Sequence, residues 1–199
     1  MVGIVHKRKW VKSSSEKFSS YINYIDREEA VRNYKLDEYS LFNDYMGNPK
    51  KCGNLFTSDR DFLSEDESKK LKRCFSIAQE NGSFMWQDVF SFDNEWLEKH
   101  GMYDRRTGAL DEKRLMEAVR NSMTEMIERE NFDSLIWSAS MHFNTDNIHI
   151  HIASVELNPT RYIKEDGFMQ YKNLYRMKSK FANTLIDRSN EQKKINDIM

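Results

Sequence analysis

The sequence predicts an α+β fold, a central antiparallel β-sheet flanked by helices, on three observations. First, "SLIWSASMHF" and "IHIHIASVEL" are two β-rich runs separated by the turn formers Asn144, Thr145, Asp146 and Asn147. So short a connection joins antiparallel neighbours and leaves no room for a parallel crossover. Second, the segments run β α, a long loop, then α β α α β β α, without the strict alternation of a doubly wound sheet. Third, 199 residues at 39% hydrophobic suffice for one sizeable core and a single domain over residues 1–199.

Taken in order, Val2 to Lys9 alternates weakly and predicts the first strand, with Val2, Ile4 and His6 on one face and Gly3, Val5 and Lys7 on the other. "SSSEKFSSYINYIDREEAVRNY" opens with serine caps and Glu16, a helix start. Its Phe18, Tyr21, Ile22 and Ile25 fall at i, i+3, i+4 and i+7, an apolar stripe with Tyr24 at its border. Residues 34–63 have no clear period but carry Tyr34, Tyr39, Phe42, Tyr45, Phe56 and Phe62. A long aromatic loop of this kind is usually functional or covers the core. "SEDESKKLKRCFSIAQENG" predicts a capped helix ending at Gly82, acids early and bases late. "FMWQDVFSFD" predicts a strand by its aromatic content, "DNEWLEKHG" a short helix. "DEKRLMEAVRNSMTEMIERE" is a long helix with Leu115, Met116, Val119, Met123, Met126 and Ile127 on its apolar side. "GFMQYKNLYRMKSKFANTLIDR" gives an edge strand or turn, then a helix.

Lys and Arg (31) nearly cancel Asp and Glu (32), so bulk charge points to no acidic partner, and the distribution of charge matters instead. Cations cluster at Lys7, Arg8, Lys9 and Lys12, at Lys50 and Lys51, at Lys69, Lys70, Lys72 and Arg73, and at Lys172, Arg176, Lys178 and Lys180. A solvated face is the ordinary reading of each. Contact with phosphates is the functional one, with Lys7, Arg8, Lys9, Lys50 and Lys51 as candidates and Tyr45 as an aromatic neighbour. Cys52 and Cys74 form no paired motif and suggest a reduced, cytoplasmic protein. No apolar run predicts membrane insertion. The polar end "DRSNEQKKINDIM" is consistent with a frayed terminus or a chain truncated from a longer protein.

Three of the five histidines, His142, His149 and His151, lie within ten residues. If the two strands pair symmetrically about "FNTDN", His142 lies opposite His149 and Ser140 opposite His151. Side chains alternate, so all three imidazoles converge on one face, with opposed Cβ atoms ~5 Å apart. A slip of one residue would turn His142 away. Ile148, Ile150 and Ile152 fill the other face, and Ser138, Ser140 and Ala153 leave room beside the imidazoles. Neutral imidazole suits first-row transition ions including Zn2+, and three protein ligands without thiolate describe an open, catalytic site. Asp88 and Asp146 are the carboxylates best placed to orient the histidines, Asp146 with a turn-shaping role as the equal alternative. His6 and His100 read as incidental.

His142-x6-His149-x-His151, followed by a hydrophobic strand, resembles the three-histidine motif of HUH relaxases, and "YINYIDREEA" is similar to the tyrosine motif of the MobP-type, MobL-like relaxases. The resemblance runs from Val2 to about Pro159. Ile148 stands where many relaxases have Pro. The resemblance implies an HUH endonuclease-like fold and Mn2+ or Mg2+ at the histidines. It implies origin-of-transfer single-stranded DNA as substrate, with accessory relaxosome proteins and a coupling protein as partners. It puts Tyr24 in the nucleophile's place, directly before "IDRE", with Tyr21 as runner-up, and Arg27 at i+3 on a suitable side to assist. Three rivals stand beside it: a rolling-circle replication initiator, a metal-dependent hydrolase without a covalent intermediate, and a non-enzymatic DNA-binding module.

Overall fold

Alternating β-branched and aromatic residues build four long strands, and two-residue strands complete the set. In chain order the elements are β1 (Ile4–Val11), β2 (Leu55–Phe56), α1 (Glu65–Glu80), β3 (Met85–Phe92), α2 (Asn94–Lys99), β4 (Tyr103–Asp104), β5 (Ala109–Leu110), α3 (Glu112–Glu130), β6 (Leu135–His142), β7 (His149–Glu156) and α4 (Tyr171–Leu185). The structure, a computed structural model, describes residues 3–14, 55–142, 147–160, 167 and 169–186. The predicted helix bearing Tyr21, Tyr24 and Arg27, the loop residues Tyr45, Lys50 and Lys51, and Asp146 lie outside the described residues.

The sheet has the order β1-β3-β7-β6-β2, every pairing antiparallel, and β4 and β5 form a separate hairpin. The α+β expectation therefore holds. β2, β4 and β5 have no counterpart among the predicted elements, because two residues are too few to display a period. Met169 and Gln170 form no strand, so the segment before α4 takes its turn alternative. α1 starts as predicted, Ser64 and Glu67 forming a reciprocal capping box, but its last turn carries no base.

The two faces of the sheet have different covers. On one, α3 and α4 bury Trp86, Phe90, Phe92, Trp137, Ile150 and Ile152. Phe181 of α4 stacks on Phe90 at 4.2 Å, and Ser122 of α3 donates to the Met177 carbonyl at 3.0 Å. Burying each such aliphatic or aromatic side chain contributes about 1.5–3 kcal/mol, which outweighs the modest helix propensity of these segments. On the other face, Phe75 and Ala78 of α1 pack with Leu55, Met85, Ala153 and Val155, covering one end only. Towards the opposite end of this face Val5 is 50% exposed and Lys7 is exposed.

Within the α3–α4 side lies a charged cluster. Asp88, fully buried, accepts from Arg8 Nε at 2.7 Å and Nη2 at 2.6 Å, and its Oδ1 lies 2.7 Å from His6 Nε2. His6 stacks on Phe90, and the sulfurs of Met126, Met169 and Met177 close around the guanidinium. Burial alone would raise the Asp88 pKa. Arg8 first, and then His6, outweigh that and hold the carboxyl below its ordinary range. The ladder sets Asp88 opposite both Arg8 and Ile152, on the face away from His149 and His151. Three expectations are corrected by this. Asp88 does not orient the histidine trio. Arg8, with its side chain 4% exposed, is a core ion-pair partner and not a phosphate contact. His6 is the third member of the cluster, not an incidental residue.

Asp88→Asn leaves a buried guanidinium without its counter-charge and is expected to cost about 3–5 kcal/mol at neutral pH, read from urea melts. Because the native pKa is depressed, the contribution is complete above the unfolded value of about 3.9 and is lost as pH falls through the native one. The gap between wild type and D88N therefore narrows in acid.

Candidate metal centre

The β6–β7 hairpin delivers the three histidines to one place. His142 pairs with His149 and Ser140 with His151, so the predicted register holds and the three rings share a face. Ring centroids are 5.3 Å apart for His142–His149, 4.6 Å for His142–His151 and 4.9 Å for His149–His151. One ligand nitrogen from each lies within 4.8 Å of the other two. Bonds of ~2.1 Å to a single ion require nitrogens no more than ~4.2 Å apart, so small rotamer changes close the trio.

Why the hairpin holds this geometry is legible locally. Ile148, Ile150 and Ile152 are buried against the α3–α4 core, and period-two alternation then obliges His149 and His151 to face the other way. The entry to β7 is fixed from α2: Asn94 Oδ1 accepts the Ile148 N–H at 3.1 Å, and the Ile148 carbonyl accepts from Phe92 N at 2.9 Å. His142 is buried, His149 and His151 half-buried.

The electrostatics suit ligation. Burial, and then the neighbouring His142 and His149, push the His151 pKa down to about 3, so its imidazole is neutral with a lone pair to give. His149 Nδ1 sits 3.1 Å from the Asn147 carbonyl. A carbonyl only accepts, so Nδ1 carries the proton of that bond and Nε2 is left as the ligand atom. The orienting group at this ring is thus a backbone oxygen, a contact with no side-chain signature in the sequence. Ser138 and Ser140, on the same face, have buried hydroxyls with no hydrogen-bond partner. All-imidazole donors, convergent beside hydroxyls without partners, fit a divalent transition ion.

Of the candidate DNA contacts, Lys7 and Lys9 are exposed on the histidine face. Lys7 lies in the row Lys7–Val89–His151–Ser140, two strands from His151, and Lys9 pairs with Gln87. Glu156 is buried and accepts from Thr160, away from the trio. His100 Nδ1 meets the Trp96 carbonyl within its own helix region, as an incidental histidine would.

Replacing His149 or His151 by Ala is expected to weaken Mn2+, Co2+ or Zn2+ binding by more than the ~10–100-fold typical of losing an orienting neighbour. Calorimetric titration checks this, with an unchanged thermal midpoint of the metal-free protein as the folding control.

Compared with known proteins, the chain matches a family model described as MobL relaxases over residues 1–199. No curated protein is matched.

Proposed function

Because the chain belongs to the MobL relaxases, we propose that it nicks one strand of DNA at an origin of transfer and rejoins it by transesterification at the three-histidine centre. The observation that carries this reading is the convergence of His142, His149 and His151 on one face of the sheet. These three residues would hold a divalent ion, which when bound would supply Lewis-acid neutralisation of charge at the scissile phosphate. Three imidazole nitrogens suit Mn2+ or Zn2+ better than Mg2+, which prefers oxygen donors.

The protein's own groups do the rest. Tyr24 is the nucleophile, with Tyr21 the alternative. A phenol of pKa ~10 has to lose its proton to attack at neutral pH, and Arg27, at i+3, is the cation proposed to stabilise the phenolate. The phenolate oxygen bonds to phosphorus as the P–O3′ bond breaks. The 3′ oxygen takes up a proton, and the 5′ end stays on the enzyme as a phosphotyrosine. One phosphoester replaces another, so the step needs no nucleotide cofactor and runs backwards when a 3′-OH returns. Lys7, exposed on the histidine face, is placed to meet a flanking phosphate. Asp146 remains proposed as a turn former or histidine partner. Accessory proteins and a coupling protein belong to this reading as further partners.

Incubation with single-stranded DNA carrying the nick site and Mn2+ is expected to give a covalent complex on a denaturing gel. Tyr24→Phe and chelator should each abolish it. A hydrolase would keep cleaving after Tyr24→Phe and never form the adduct, and a binding module would do neither.

A further inference from the structure

Helix α4 turns a surface outward that neither the core nor the histidine centre uses. Residues 171–185 carry four cations and no acid, in a chain of net charge −1. Lys172, Arg176 and Lys180 repeat at i, i+4 and i+8, forming one exposed row with ~6 Å between successive Cα levels. Beside it runs a second row, Tyr171 and Tyr175, 80% and 60% exposed. The opposite side of the same helix, with Met177, Phe181 and Leu185, is fixed in the core, so the outward side has a constant presentation. Trp10, 40% exposed on edge strand β1, lies against Gly167, where a Cβ would come within 2.8 Å of its ring. Trp10 is thus a third exposed aromatic ring on the α3–α4 side of the sheet, where its strand position pairs with Trp86.

We propose that the outward face of α4, continued by Trp10, is a second binding surface for single-stranded DNA, on the side of the sheet opposite the histidines. The chemistry is specific to that ligand in two respects. A phosphodiester backbone satisfies a row of cations that has no acid within its own helix. Unpaired bases offer π-faces on which exposed aromatic rings beside the cations can stack. The surface therefore holds a stretch of the strand remote from the scissile phosphate. In naming DNA as the ligand it rests on the nicking reading above.

The test uses the full chain, two labelled oligonucleotides and fluorescence anisotropy. One oligonucleotide is just long enough for the histidine site, the other longer by roughly ten nucleotides, within the span one binding fold covers. For the longer one, Tyr171→Ser with Tyr175→Ser is expected to weaken binding tenfold or more. Lys172→Gln with Arg176→Gln and Lys180→Gln should reduce the slope of log affinity on log salt by about two, at ~0.7 for each phosphate no longer neutralised. The shorter oligonucleotide should bind all variants equally. A control removing three exposed cations elsewhere, Lys99, Arg106 and Lys113 to Gln, should leave both unchanged. Equal weakening for both lengths, weakening in the control, or indifference of the longer oligonucleotide overturns the proposal. The nicking reading fails separately: absence of a covalent adduct with the wild type sinks that reading, while a length-dependent weakening in the α4 variants still upholds the surface.

Discussion

The register of β6 against β7 is the constraint on which the candidate site depends. His142 facing His149 and Ser140 facing His151 is one of only two parities open to the hairpin. In the other, with Ile150 and Ile152 kept in the α3–α4 core, His142 and Ser140 would turn into that core and Met141 and Trp137 out of it. Joint burial of the β7 isoleucines with Met141, Ala139 and Trp137 of β6 therefore does the selecting, and the imidazoles converge as its consequence. The site contributes little to choosing its own geometry. That independence would suit a metal centre, because a core that packs on its own account gathers the three imidazoles.

Much of this was legible in the sequence, and the reason is the same alternation. A period-two pattern with turn formers at its centre specifies strand, hairpin, register and face together, so the trio follows from one inference. What was not legible depended on long-range neighbours. Asp88 alternates in a strand like any other residue, and nothing local says that the strand beside it carries Arg8 and His6 from 80 residues upstream. A carboxylate looked for near histidines found a histidine, but the wrong one. Arg8 sat within a run of cations whose common reading is a solvent-facing patch, yet it shares a strand face with Ile4 and lies under α4. Asn147 acts through its carbonyl, which every residue possesses, and so leaves no trace in composition.

The two faces of the sheet divide the chemistry of the chain. The histidine trio lies where one face, among the described residues, has partial cover, at the end beyond α1. Apolar mass gathers on the other, where α3 and α4 enclose a fully desolvated ion pair. Such a pair adds little net stability against an apolar replacement but penalises any arrangement that separates its members. Its effect in this fold is to tie β1 to β3 in a single alignment and to seat the guanidinium among Met126 of α3, Met177 of α4 and Met169.

That tie has a bearing on how the chain is made. β1 leaves the ribosome before β3, and the carboxylate that neutralises its Arg8 is synthesised 80 residues later. For that interval an edge strand carrying Lys7, Arg8 and Lys9 stays hydrated and repels its own kind, which discourages premature pairing with other nascent chains. Once made, the local hairpin of β6 and β7 has only a short loop to close, whereas docking of β1 needs a non-local encounter. The same guanidinium that ends in the finished core would thus help to keep β1 unpaired and hydrated during biosynthesis.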